Sequence, residues 1–326
     1  MSAAIDPADK FRHEALLYRG WADFVAGTVP FIKEGLRAGE PVLVVESAEK
    51  IGLLYNALDD EAGRVLFADM SEVGANPARI IPAWREFVTR HGGHGKRLRG
   101  IGEPIWYGRP TDELVECQRH ESLLNVAFDG GQPWRLLCPY DVGHLDESVI
   151  EEARRSHEYV IEDGEMQISR EFRGVEACGA PLDTPLEAPK TGVQTVRFDR
   201  DSLFGLRAEV TRYAIAAGLS AARASQLVSA VNEVATNSIL HGGGQGTLGM
   251  WRDSNNLVIE VRDAGTYDRP LADRERPGPH SSDPRGLWLV NHICDLVQIR
   301  TLVDGTIVRL RVKIDPERHL HLVPME

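Results

Sequence analysis

No stretch of this 326-residue sequence stays apolar for the about twenty residues that a membrane-spanning helix needs. The opening text, MSAAIDPADKFRHEALLYRG, also lacks the apolar block of a secretory signal, so the sequence reads as a cytoplasmic protein with no membrane partner. Cysteine is scarce. Cys117, Cys138, Cys178 and Cys294 stand far apart, which argues against a disulfide framework and suits a reducing compartment. Basic charge is in deficit, with 37 Lys and Arg against 49 Asp and Glu and a formal net charge of -12. Nucleic acid is therefore not an expected direct partner, because phosphate binding needs a basic surface. Internal repeats and low-complexity blocks are missing too.

What remains is globular: 42% hydrophobic and 26% charged residues, in a chain with room for about two domains. From about residue 14 to 165, the β-branched runs PVLVV, RVLFAD, KRLRGIG and WRLLCPYD alternate with helical text such as IIPAWREFVTRHGG and DELVECQRHESLLNVAF. That order predicts βαβ units and an α/β domain with a mostly parallel sheet over 1–172. The prolines and lost periodicity of RGVEACGAPLDTPLEAPKTGV mark a linker over 173–193. The second domain, 194–326, runs strand, two helices, two strands, a Pro-rich loop, a short helix and two strands. It reads as an α+β sandwich with helices on one face of a mixed sheet.

Its most informative text is VNEVATNSILHGGG, residues 231–244. At about 100° per residue, Glu233, Asn237 and His241 form one slowly drifting stripe, while Leu227, Val231, Val234 and Ser238 lie on a neighbouring face. One face packs and the other looks into something polar. In EVRDAG a strand ends in Asp263 and then Gly265, placing a carboxylate where backbone can approach a ligand closely. In DPRGLWLVNHICD, Gly286 starts a helix whose free N–H groups favour an anion such as phosphate. Together the three segments are suited to hold a nucleotide at both ends.

Glu-x-x-x-Asn on a helix, Asp-x-Gly after a strand and Arg-Gly-Leu at a helix start resemble the ATP-binding domain of histidine kinases, gyrase and anti-sigma-factor serine kinases, the GHKL or Bergerat fold. The stretch GLWLVNHICDLVQIR, closed by DGTIVRLRV, looks most like the anti-sigma-factor kinases, and the resemblance covers 194–314. It implies ATP and Mg²⁺ as cofactors. It implies that Asn237 holds Mg²⁺, that Glu233 is the catalytic carboxylate and that Asp263 accepts a hydrogen bond from the adenine amino group. Gly265 would leave room beside the base, and Arg285, Gly286 and Leu287 would stand at the phosphates. Two positions depart from the pattern. Tyr267 replaces a second glycine, and Pro284 removes an N–H donor from the phosphate loop.

FRHEALLYRGWADFVAGTVPFIKEGLRAGEPVLVV, with GEPIWYGRPTDELVECQRHESLLN and LLCPYD, resembles the MEDS sensory domain, related in fold to RecA-like ATPases, over residues 11–165. A phosphate-cradling Gly-x-x-x-x-Gly-Lys-Ser/Thr is absent, and the nearest text, GGHGKRL, lacks both the Ser/Thr and the glycine spacing. A ligand-sensing or docking module without its own ATPase activity is therefore expected. By resemblance, the whole chain would bind a sigma factor and phosphorylate Ser or Thr of an anti-sigma-factor antagonist of the STAS type. A non-catalytic, nucleotide-gated module that sequesters such a partner is the alternative. A small molecule at the first domain and a second copy of the chain complete the expected partners. Of the remaining features, the 266–285 loop reads as a lid, and RHE at 119–121 as ordinary helix surface. The pairs His91/His94 and Cys117/His120 have incomplete metal spacing, and His241 suits a helix C-terminus without any function.

Overall fold

Short β-branched runs separated by helical text become the strands and crossovers of the first half. The computed structural model describes residues 10–174, 184–189, 192–275 and 286–314, and divides the chain into Met1–Pro181 and Leu182–Glu326.

In the first unit, strands β1 (Arg12–Tyr18), β2 (Val42–Glu46), β3 (Leu66–Asp69), β4 (Leu98–Gly102), β5 (Trp134–Asp141), β6 (Tyr159–Glu162) and β7 (Glu165–Ile168) form one sheet in the order β3-β2-β4-β5-β1-β6-β7. All neighbours are parallel except the β6–β7 hairpin. Helices α1 (Gly20–Arg37), α2 (Ala48–Leu58), α3 (Met70–Val73), α4 (Ile80–His91), α5 (Thr111–Ala127) and α6 (Glu147–Ser156) make the connections, as parallel pairing requires. β2, β3, β4 and β5 are the four legible runs. β1 is not, because RHEALLY carries His13 and Glu14 into a buried inner strand. Glu14 tolerates that place because Arg135 on β5 grips both its oxygens, at 2.7 and 2.8 Å. The expectation of helix surface at 119–121 is wrong: Arg119, His120 and Glu121 are each 1% exposed or less. α5 is buried through its middle, from Glu116 to Leu124 apart from Gln118, so charge there does not mean solvent.

The second unit contains β8 (Gln194–Asp199), α7 (Leu203–Ala216), α8 (Ala221–His241), β9 (Gln245–Asp253), β10 (Asn256–Asp263), α9 (Gly286–Ile293), β11 (Leu296–Leu302) and β12 (Gly305–Lys313). The sheet order is β11-β12-β10-β9-β8, and every pairing is antiparallel, not mixed as the sequence suggested. Two helices between β8 and β9 return the chain to the end it left, and tight turns join β9 to β10 and β11 to β12; neither link permits parallel neighbours. Leu227, Val231 and Val234 of α8 pack with Leu248, Ile259, Val261 and Leu310 of the sheet. Ser220 caps α8 by accepting from Arg223 N–H at 3.2 Å.

Gly305 holds the fold and the end of β10 in one contact. Its φ is +130°, and a Cβ there would lie 1.9 Å from the Asp263 carbonyl oxygen. Gly305→Ala should lower the stability of the second unit by about 2–4 kcal/mol through backbone strain and overpacking. Gly52→Ala, at a helical position with nothing within 4 Å, should instead raise stability by about 0.5–1 kcal/mol. Urea unfolding of the full chain reads both, and equal midpoints for the two variants would refute the close approach.

Candidate functional site

The end of β10 meets the end of α8. Register with Thr306 on β12 brings Asp263 to the last turns of that helix. There Ser238 Oγ donates to Asp263 Oδ2 at 2.5 Å and Gly265 N–H donates to Oδ1 at 2.8 Å. Each carboxylate oxygen keeps acceptor capacity for another donor. Two glycines allow the approach: a Cβ on Gly242 would sit 2.4 Å from Asp263 Cγ, and one on Gly265 would sit 2.8 Å from the His241 carbonyl oxygen. Ala264 N–H donates to Gly242 O at 3.1 Å, and Thr306 Oγ1 to Gly265 O at 2.8 Å, closing the loop. Asp263 is half-buried and immobilised, which suits an acceptor that must discriminate between ligands.

On the same helix, Asn237 next to Ser238 and Glu233 about one turn before Asn237 are half-buried, and their side chains make no hydrogen bond among the described residues. A polar group withdrawn from water without a partner is costly, so a site that leaves two together is suited to a ligand. Gly286, the first residue of α9, abuts Glu233, and a Cβ there would lie 2.7 Å from Glu233 Oε2. Leu287 packs partly buried against the core. Arg285 and Pro284 lie outside the described residues. His241 is exposed at the helix end. Glu233 and Gly286 thus meet at one end, and Asp263 and Gly265 at the other, with Asn237 between them along α8.

Several residues that build the site are not singled out by the sequence. Ser238 reads as packing face, and its one signal is a hydroxyl among aliphatic neighbours. Gly242 reads as a helix stop. Tyr267, the departure from a second glycine, anchors the first part of the lid segment. Its N–H donates to Thr301 Oγ1 at 3.2 Å, Thr301 Oγ1 donates back to Tyr267 O at 3.1 Å, and Tyr267 OH donates to Asp273 Oδ1 at 3.0 Å. Asp273, 2% exposed, also accepts from Asn291 Nδ2 on α9, 2.9 Å from its carbonyl oxygen. Over 266–275, therefore, the expected loop is tied to α9 and β11.

The first unit gathers a second group where parallel sheets generally bind ligands, at the carboxyl ends of strands. Tyr18 ends β1, Glu46 ends β2, Glu103 follows β4, and Lys50 lies in the first turn of α2. Tyr18 OH donates to Glu103 Oε1 at 3.0 Å, Lys50 Nζ donates to Tyr18 OH at 2.6 Å, and Lys50 forms an ion pair with Glu103. Burial and the neighbouring Glu103 push the Glu46 carboxyl well above its ordinary 4.5, and burial raises Glu103 as well. GGHGKRL lies at the wrong end for a phosphate cradle, between α4 and the start of β4.

Residues 12–158 match the family described as MEDS: MEthanogen/methylotroph, DcmR Sensory domain, and residues 196–312 match the histidine kinase-like ATPase domain. Among curated proteins none matches the chain. Among solved structures, the RsbU and RsbW domains of Rv1364c from Mycobacterium tuberculosis are similar at 16% identity and a TM-score of 0.30. That likeness covers 38% of this chain, which spans only 32% of the mycobacterial one. A KaiC-like protein from Pyrococcus horikoshii OT3 is similar at 16% identity over 51% of this chain and 81% of its own, with a TM-score of 0.32.

The Glu46 environment gives a pH dependence with a definite sign. Above the ordinary value of 4.5 the unfolded chain has released a proton that the folded chain, with its raised pKa, still binds. Stability therefore falls as pH rises through that window. Glu46→Gln should remove the share of the slope that Glu46 contributes, so its unfolding midpoint should gain on the wild type as pH rises above 4.5. Parallel pH profiles for the two proteins would show that Glu46 is not held in this way.

Proposed function

We propose that this chain, which joins a MEDS sensory domain to a histidine kinase-like ATPase domain, is a regulator whose second unit binds Mg·ATP and phosphorylates a Ser or Thr of a STAS-type anti-sigma-factor antagonist. A sigma factor is its other partner, and the first unit controls the activity in response to a small ligand at the Tyr18, Glu46, Lys50 and Glu103 group. The functional division we adopt is 1–172 for sensing, 173–193 as linker and 194–326 for the kinase domain. The observation that carries this reading is the arrangement along α8: a carboxylate fixed by Ser238 and Gly265 at one end, Glu233 towards the other, and Asn237 between, the last two half-buried with no side-chain hydrogen bond among the described residues.

The residues fit the cofactor. Gly242 and Gly265 leave the space beside Asp263 that any side chain would fill, and the Asn237 amide oxygen is the hard donor that Mg²⁺ prefers. Mg·ATP would supply the γ-phosphoryl group and neutralise its charge. Asp263 accepts from the adenine amino group and so selects the base. Glu233 orients the attacking hydroxyl and accepts its proton, Asn237 holds the metal, and the start of α9 at Gly286 receives the phosphates. A second reading, a nucleotide-gated docking module without turnover, draws support from Tyr267, which occupies the second glycine's place and binds the loop to Asp273.

Calorimetry and a phosphotransfer assay on the full chain separate the two. Asp263→Asn should weaken nucleotide binding by about 1–3 kcal/mol, the worth of a charge-assisted hydrogen bond. Glu233→Ala should lower transfer roughly 10²–10⁴-fold with affinity nearly unchanged. Asn237→Ala should lose both. If the wild type binds nucleotide and partner but transfers no phosphate to any antagonist, and both α8 variants keep partner binding, the docking module takes the kinase's place.

A further inference from the structure

The side chain of His94 lies outside the described residues, and among those described Cys117 and His120 gather no metal-binding group. Cys117 Sγ instead donates to Pro104 O at 3.4 Å. Four other residues converge inside the first unit: His13 on β1, Glu121 on α5, Cys138 on β5, and His157 between α6 and β6. All four are buried, and one ligating atom from each lies within 4.8 Å of the other three. We propose that His13, Glu121, Cys138 and His157 form a closed site for one divalent transition-metal ion of the zinc class.

The distances match the ion. His13 Nε2 lies 3.0 Å from Glu121 Oε2 and 3.3 Å from Cys138 Sγ, and His157 Nε2 lies 3.4 Å from Glu121 Oε2. A tetrahedral zinc ion, with bonds of about 2.0–2.3 Å, places its ligand atoms about 3.3–3.8 Å apart. These three spacings need at most a few tenths of an ångström of expansion, and the remaining pairs, within 4.8 Å of one another, would draw in around the ion.

The ring orientations match as well. Asn125 Nδ2 donates to the Ser156 carbonyl at 2.8 Å and lies 3.4 Å from the Ser122 carbonyl, which turns its Oδ1 towards His13 Nδ1 at 3.3 Å. His157 Nδ1 lies 2.8 Å from the Ala153 carbonyl oxygen. Carbonyl oxygens only accept, so both rings carry hydrogen on Nδ1 and offer Nε2 to the cluster. This second layer of acceptors is what metal-bound histidines generally have.

Without an ion the cluster is poorly matched. Among the described residues His157 Nε2 and Glu121 Oε1 have no hydrogen-bond partner although both are buried. Two ring nitrogens and a carboxylate are acceptors, and the Cys138 thiol, whose Sγ lies 3.3 Å from His13 Nε2, is the one donor among the four residues, at a depth where an unanswered acceptor costs most. A cation among them answers the acceptors that the thiol does not reach. The donor set also selects the class of ion. One thiol, two imidazoles and one carboxylate exclude Mg²⁺ and Ca²⁺, which take oxygen ligands, and suit zinc. Four protein ligands leave no open position, as in structural zinc sites. Binding releases the Cys138 proton to solvent, and the ion joins β1, β5, α5 and the entry to β6.

The test uses the full chain. After dialysis, elemental analysis should find one zinc per chain beyond any bound by a nucleotide-free second unit, and refolding with Co²⁺ in its place should give a thiolate-to-cobalt charge-transfer band with the visible bands of a tetrahedral ion. Cys138→Ser should abolish the thiolate band, and Asn125→Ala should weaken affinity about 10–100-fold by freeing the His13 ring. His91→Ala should change neither. If the wild type, refolded with excess Zn²⁺ or Co²⁺, holds no stoichiometric metal and shows no thiolate band, the cluster is a hydrogen-bonded core and the proposal fails. A thiolate band that persists in Cys138→Ser would place the ion elsewhere and also overturn it.

Discussion

The Asp263 carboxylate accepts one hydrogen bond from Ser238 on α8 and one from the backbone of Gly265, and this double attachment sets the geometry around it. It joins the last turn of the longest helix to the end of an inner strand. The contact is possible only because Gly242, Gly265 and Gly305 lack side chains where three segments of backbone nearly touch. A single carboxylate thereby serves as a structural rivet and as an acceptor held by two hydrogen bonds. The same economy explains why Ser238 belongs among aliphatic residues: its hydroxyl reaches a partner without leaving the packed face.

The periodicities of α8 and the strand ends made Glu233, Asn237, Asp263, Gly265 and Gly286 legible, because each lies where a regular element starts, stops or turns one face outward. The same reasoning did not reach Ser238, Asp273 or Asn291, and it marked Tyr267 only as a departure from glycine. Their roles depend on segments brought together by the fold, and a hydrogen bond from residue 267 to residue 273 and on to residue 291 leaves no periodic trace. The sheet of the second unit was misjudged for a related reason. Local text announces strands, whereas strand direction follows from how many helices intervene between them.

In the first unit, the rule that charged residues face water fails repeatedly. Glu14, Glu46, Glu103, Arg119, His120, Glu121 and His157 are all nearly fully enclosed. Such groups are tolerated inside a protein when they answer one another, as Glu14 and Arg135 do across adjacent strands. Hydropathy alone places them outside. A βαβ unit whose inner strand begins Arg-His-Glu therefore looks like a solvent-exposed edge until its neighbours are known. The charges gather at two levels, at the carboxyl ends of the strands and beneath α5, so the interior of this unit is polar in places chosen by topology.

Helix α8 also works as a ruler. Ser238 holds the Asp263 end and Glu233 faces the Gly286 end, five residues apart on a rod that rises about 1.5 Å per residue, so the two ends are separated by about 7.5 Å along the axis. No side-chain rotation alters that interval. On the proposed function, a ligand in this site has to match that interval: one too short reaches a single end, and only one of matching reach engages both at once. Inserting or deleting one residue between the two marks would change the span by about 1.5 Å and swing the ends about 100° out of alignment, so the interior of α8 does not tolerate a change of length.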